Sequence, residues 1–267
     1  MDRSHRLPTW ISAFVLACAS LSQPTWAEDA QPCSGELLHS LGRQLGQEGW
    51  NVPGESEGRV IAAACKRWPD DPAQTVVAIA YLDSTDDAPP GERSPRLLLG
   101  KVEGASGMLR ERYETRLEED AATEVDSGSL WLDTARYHLA PGVRAFGVVF
   151  RSVARGASCP DGGFDDLLTL VVPDAGQLRP VFSTYLSQWT TVKGTSCVSD
   201  SGFEMEASRL TLGIGPNRSN GYADLIVTSR VRNDFEGGNV LRTVSETVRY
   251  DGTRYPFEEF SNFWQRQ

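Results

Sequence analysis

The apolar positions along this chain change their period once. Up to residue 72 they recur as on helices, and beyond it they fall into extended runs. Ser34 stands where it can cap a helix whose Leu37, Leu38, Leu41 and Leu45 share one face. Asn51, Val52, Pro53 and Gly54 break that pattern. Val60, Ile61, Ala64, Cys65 and Trp68 then resume a helical spacing until Pro69. The spacing predicts a short α-hairpin within residues 28–72.

From Gln74 the pattern is that of strands. Residues 75–82 are nearly all apolar, as in a strand buried on both faces. Three strand–hairpin units follow, over residues 96–113, 143–186 and 208–257. The middle unit turns at Asp174, Ala175 and Gly176. Its strand Gly163, Phe164, Asp165, Asp166, Leu167, Leu168 is echoed by Gly221, Tyr222, Ala223, Asp224, Leu225, Ile226. Repetition of one β-unit predicts a mainly β domain over 73–267, built of antiparallel meanders as a propeller-like array or a twisted sandwich.

The first 27 residues read as an export segment. Arg3 and Arg6 precede an apolar run too short to cross a membrane. Val15, Leu16, Ala17 and Cys18 match a bacterial lipobox, in which Cys18 is lipidated and becomes the new N-terminus; cleavage after Ala27 is the alternative exit. Lipidation would place the chain in the periplasm, anchored to the outer membrane. Cys33, Cys65, Cys159 and Cys197 remain, and an even count in an exported chain predicts disulfides. The local pairing, Cys33–Cys65 and Cys159–Cys197, closes loops of roughly thirty to forty residues, worth ~3–4 kcal/mol each.

The formal net charge is −10, which argues against nucleic acid and anionic membrane surfaces and suits a cationic protein partner. His39 and His138 are the only histidines beyond the export segment, so Ser–His–Asp and His-ligated metal chemistry are poorly supplied. A two-carboxylate glycosidase is the remaining enzyme class. Asp161, Asp165 and Asp166, with Gly162 and Gly163 between them, form an acidic loop of the kind that can surround calcium. The surface stretches Ser201, Gly202, Phe203, Glu204 and Asn217 to Tyr222 are candidate partner-binding loops.

The lipobox, the four cysteines, the Ala63–Lys66 segment leading to Pro69, and the run from Asp133 to Gly147 together resemble one family. It is the periplasmic lipoprotein immunity proteins that accompany bacteria-killing type IV secretion systems, whose domain is similar to I-type periplasmic lysozyme inhibitors. The resemblance implies a non-enzymatic inhibitor of a lysozyme-like peptidoglycan hydrolase effector. Inhibitors of related types present a Ser-Gly-x-Tyr loop; here Ser201 and Gly202 fit it and Glu204 stands in place of the Tyr. An envelope scaffold or adaptor without an enzyme target is the alternative function.

Overall fold

The Ser34 hydroxyl accepts a hydrogen bond from Leu37 N at 3.3 Å, and helix α1 runs over Gly35–Leu45. Gly46 ends it at φ 67°, a left-handed conformation that glycine adopts without strain. Leu38 and Leu41 are fully buried. Gly42 lies so near Trp50 that a Cβ there would stand 2.9 Å from the Trp50 side chain. The computed structural model describes residues 31–55, 58–104, 106–198, 202–234 and 238–265. Among them no helix is long and apolar enough to cross a membrane.

The second predicted helix is a strand. β1 (Val60–Arg67) buries Val60, Ala62 and Ala64 in alternation, and its Ala63 pairs with Ile79. Alanines at 62, 63 and 64 suit either period, and pairing with the apolar β2 decides the outcome. The α-hairpin therefore reduces to one helix, and the border expected at residue 72 falls inside the β1–β2 hairpin.

β1, β2 (Gln74–Tyr81), β3 (Arg96–Glu103) and β4 (Met108–Arg116) form an antiparallel four-stranded sheet in chain order. One face, with Val77, Ile79, Leu98 and Val102, lies under α1 and Trp50. The other, with Val76, Ala78, Leu97 and Leu99, packs on Leu132, Phe146, Val148 and Val171. β2 is thus apolar on both sides because it is covered on both sides. Each fully buried Leu, Ile or Val here contributes roughly 1.5–3 kcal/mol.

β5 (Leu130–Ala140), β6 (Val143–Phe150), β7 (Gly162–Asp174), β8 (Gln177–Lys193), β9 (Glu204–Ser219), β10 (Tyr222–Arg232) and β11 (Val240–Val248) form a single seven-stranded antiparallel sheet. The second and third predicted meanders are continuous in it, so they are not separate propeller blades. The β7–β8 turn has Ala175 and Gly176 at φ 50° and 82°, the pair of positive values that a tight hairpin needs. The sheet curls as a half-barrel, bringing β5 against β9 and β10. The chain after β11 lies along β8: Tyr255 N donates to Val181 O at 2.7 Å and Tyr185 N to Glu259 O at 3.3 Å. Trp264 is buried and its Nε1 donates to Gln188 Oε1 at 2.9 Å.

The run from Asp133 to Gly147 folds as the irregular β5–β6 hairpin. Asp133 accepts from Tyr137 Oη at 2.6 Å and from Ala135 N at 2.8 Å. Burial, with the Asp133 carboxylate beside it, pushes the Tyr137 hydroxyl pKa well up. Arg144 pairs with Asp70 and donates to Thr134 O at 2.6 Å.

Two glutamines fasten strand edges. Gln31 O accepts from Cys65 N at 2.8 Å on β1. Its side-chain amide accepts from Leu132 N at 2.7 Å and donates to Leu132 O at 3.0 Å on β5, so one residue bridges both sheets. Gln44 does the same for β4, accepting from Leu109 N at 3.0 Å and donating to Gly107 O at 2.7 Å.

Candidate functional site

Two connections meet at one end of the seven-stranded sheet: the one entering β7 and the one leaving β8 for β9. Cys159–Cys197 joins them, with Cα atoms 5.6 Å apart and both residues exposed. Cys33–Cys65 is the other disulfide, tying the segment before α1 to β1 at 5.0 Å, with Cys33 buried in the core.

At this end lies a cluster of three aromatic rings. Phe164 on β7, Tyr185 on β8 and Phe260 beyond β11 have centroids 4.5, 4.6 and 5.0 Å apart. Phe164 is 46% exposed and Phe260 58%. Tyr185 is half-buried between them. Burial raises the pKa of its hydroxyl, and so, in decreasing order, do the carboxylates of Glu259, Asp120 and Asp165. Gly163, next to Phe164, is required by Trp189: a Cβ at 163 would meet the indole nitrogen at 2.3 Å. Val192 near the end of β8, and Val198 and Phe203 on the β8–β9 connection, are further exposed apolar side chains.

The acidic loop is part of the same end, and its Asp166 carboxylate is committed to cations of the chain. Asp166, buried at φ 58°, accepts from Arg151 Nε at 2.8 Å and lies 3.5 Å from Arg209 Nη1. Asp165 accepts from Asp166 N at 2.8 Å and is half-exposed. Partial desolvation holds its pKa above the usual aspartate range, with the neighbouring Asp166 charge adding to this. Asp161 is exposed and its backbone oxygen accepts from Thr191 N at 2.7 Å. Among the described residues no group of three or more His, Cys, Asp or Glu stands ready for a metal ion. Of the three carboxylates considered for calcium, Asp166 is engaged in ion pairs with Arg151 and Arg209.

The predicted partner loops part company. Gly202, Phe203 and Glu204 border the disulfide end, where Glu204 pairs with Lys193 at 3.2 Å. Ser201 and Cys18 lie outside the described residues. Tyr222 starts β10 at the opposite end of the β9–β10 hairpin, paired with Ser219 and stacked on Tyr250 at 4.4 Å. The length of β9, roughly 50 Å at the rise of an extended strand, separates the two.

An open groove of about 630 Å³ lies elsewhere, along β4 between Gln44, Arg112 and Gln177. Its lining includes the charged Arg110, Glu111, Arg112 and Glu114 of β4, and charges along an edge strand serve to discourage foreign pairing. His39 is bonded to Asn51 at 3.1 Å, and His138 is exposed on β5.

Sequence reasoning missed the ring cluster. Phe164 was visible as the aromatic of the repeated motif, but Tyr185 and Phe260 are brought to it only by strand pairing and by the course of the C-terminal segment. Comparison with protein families, with curated proteins and with solved structures finds no match for this chain.

Proposed function

We propose that this chain is an exported, non-enzymatic binding protein that covers the cleft of a lysozyme-like peptidoglycan hydrolase and blocks it, acting as the immunity partner of an antibacterial effector. In this reading Cys18 carries the lipid that holds it at the outer membrane on the periplasmic side. The observation that carries the reading is the disulfide-pinned end of the seven-stranded sheet. There Phe164, Phe203, Phe260, Val192 and Val198 are exposed together on a braced scaffold. Aromatic anchors held in place before binding lose little freedom on docking, which is how protein interfaces concentrate their affinity. The chain's formal charge of −10 speeds encounter with a cationic hydrolase.

The test is lysis of purified peptidoglycan by a lysozyme-like hydrolase, taking first any such effector that proves to be encoded beside this chain. Stoichiometric addition of the full chain stops lysis, and Phe164→Ala with Phe260→Ala restores it. Lysis that continues unchanged under excess of the chain defeats the proposal.

A further inference from the structure

The two sheets have four outer edges, and three of them are fastened to their own chain. Gln31 holds β1 through Cys65 N and β5 through Leu132, and Gln44 holds β4 through Leu109 N and Gly107 O. β11, the last strand of the seven-stranded sheet, is the exception. Among the described residues its outer edge has no backbone partner. Six of its nine residues are exposed, Val240 and Leu241 among them. The devices that usually blunt an edge are thin here: the strand has no proline and no lysine, and its one bulge lies at Leu241, so residues 242–248 run regularly.

What fits this edge is its own sequence read in reverse. An antiparallel pair about a two-fold axis at Val244 sets Val244 on Val244, Thr243 on Ser245 and Arg242 on Glu246. Valine then meets valine, hydroxyl meets hydroxyl and each charge meets its opposite, all favourable cross-strand pairs. Moving the axis to Ser245 sets both charges against valines. Arg242 is positioned in advance: Nη1 donates to Glu206 at 2.9 Å and Nη2 to Trp264 O at 2.7 Å, which leaves Nε for a carboxylate arriving from outside. Glu246 is exposed. We propose that β11 is a pairing edge for a second copy of this chain, antiparallel and centred on Val244, which joins two seven-stranded sheets into one. This inference does not depend on the inhibitor reading. The interface is small and each copy carries a formal charge of −10, so the dimer is weak and forms with rising concentration.

The experiment is analytical ultracentrifugation of the full chain in about 0.15 M salt, where a Debye length of about 8 Å screens the net charge. The expected result is a dimer that grows over about 10–500 μM, as a small interface gives. Glu246→Lys sets a lysine opposite Arg242 of the second copy, twice per dimer, and raises the dissociation constant about fivefold. Its side chain is exposed, so this variant keeps the melting temperature of the parent. A cysteine variant reads the register. Val244→Cys joins to itself under mild oxidation, because facing Cα atoms of an antiparallel pair lie about 4.5–5.5 Å apart, within reach of a disulfide. Leu241→Cys, three residues from the axis, does not. A chain that stays monomeric throughout overturns the proposal. So does a dimer that Glu246→Lys leaves as tight as before, or one that Val244→Cys does not capture.

Discussion

The two disulfides close loops of similar length, 32 and 38 residues apart in sequence, yet they stand in different surroundings. Cys33–Cys65 lies in the core, in the same cluster as Leu38, Leu41, Trp50 and Ile79, two residues from the glutamine that joins the sheets. Cys159–Cys197 is exposed and holds connections that carry exposed apolar side chains. Loop-closure entropy is nearly the same for both, about 4 kcal/mol. What differs is the native surroundings. One bond adds buried packing to an element already fixed, whereas the other fixes surface chain that little else restrains. Equal covalent chemistry thus serves a buried element in one place and an exposed pair of connections in the other.

That contrast is sharpest in the double alanine variants. Removing Cys33 and Cys65 costs the full loop term plus lost core packing, about 5 kcal/mol in urea unfolding. Removing Cys159 and Cys197 costs about half as much, because the freed loops regain entropy in the native state too, but it weakens partner binding. Under native conditions a mild thiol reductant opens Cys159–Cys197 first, readable by mass spectrometry after alkylation. Equal costs with equal reduction rates would erase the distinction.

Gln31→Ala probes the buried end without touching sulfur. It strips Leu132 N of its side-chain partner and leaves Leu132 O with the 3.4 Å contact to Lys66 Nζ, and about 1–3 kcal/mol of stability should go with the loss. Amide exchange at Leu132 should rise ahead of that at the centre of β6. Protection of Leu132 unchanged in the variant would show that the bridge is decorative.

Asp165→Asn probes the exposed end and has the smallest effect. The Asp165 pKa is raised in the folded state. Its folded form therefore holds the proton more tightly than the unfolded chain, and that contribution is present in acid and lost as pH rises through the folded pKa. The asparagine variant should melt slightly higher than the parent at neutral pH, with the gap closing on acidification. A variant that melts lower at neutral pH would mean that the carboxylate stabilises the fold.

Much of the fold was legible. Strand regions beyond residue 74 follow from apolar runs and turn residues, and α1 follows from Ser34 and its leucine face, because those signals are local. The helix expected at 60–68 failed on a tract of three alanines, Ala62 to Ala64, in which the two periods cannot be told apart until a partner strand is known. The echo between Gly163–Leu168 and Gly221–Ile226 marks two strands of one sheet, but their matching residues do different work. Gly163 makes room for Trp189, whereas Gly221 supplies φ 90°. Asp166 pairs with arginines, whereas Asp224 is buried with its Oδ1 unpartnered. The candidate site was half legible: Phe203 and the acidic loop came from sequence, and the ring cluster did not, since Phe260 reaches it only through the path of the C-terminal segment over β8.

The glutamine at the rim of β4 bears on how the protein ages in storage. Hydrolysis of the Gln44 amide to a carboxylate keeps an acceptor for Leu109 N but replaces the donor to Gly107 O with a repelling oxygen. The first rungs of that edge then become available to a strand from a neighbouring molecule. Old samples should show growing oligomers while the Cys159–Cys197 end is still intact.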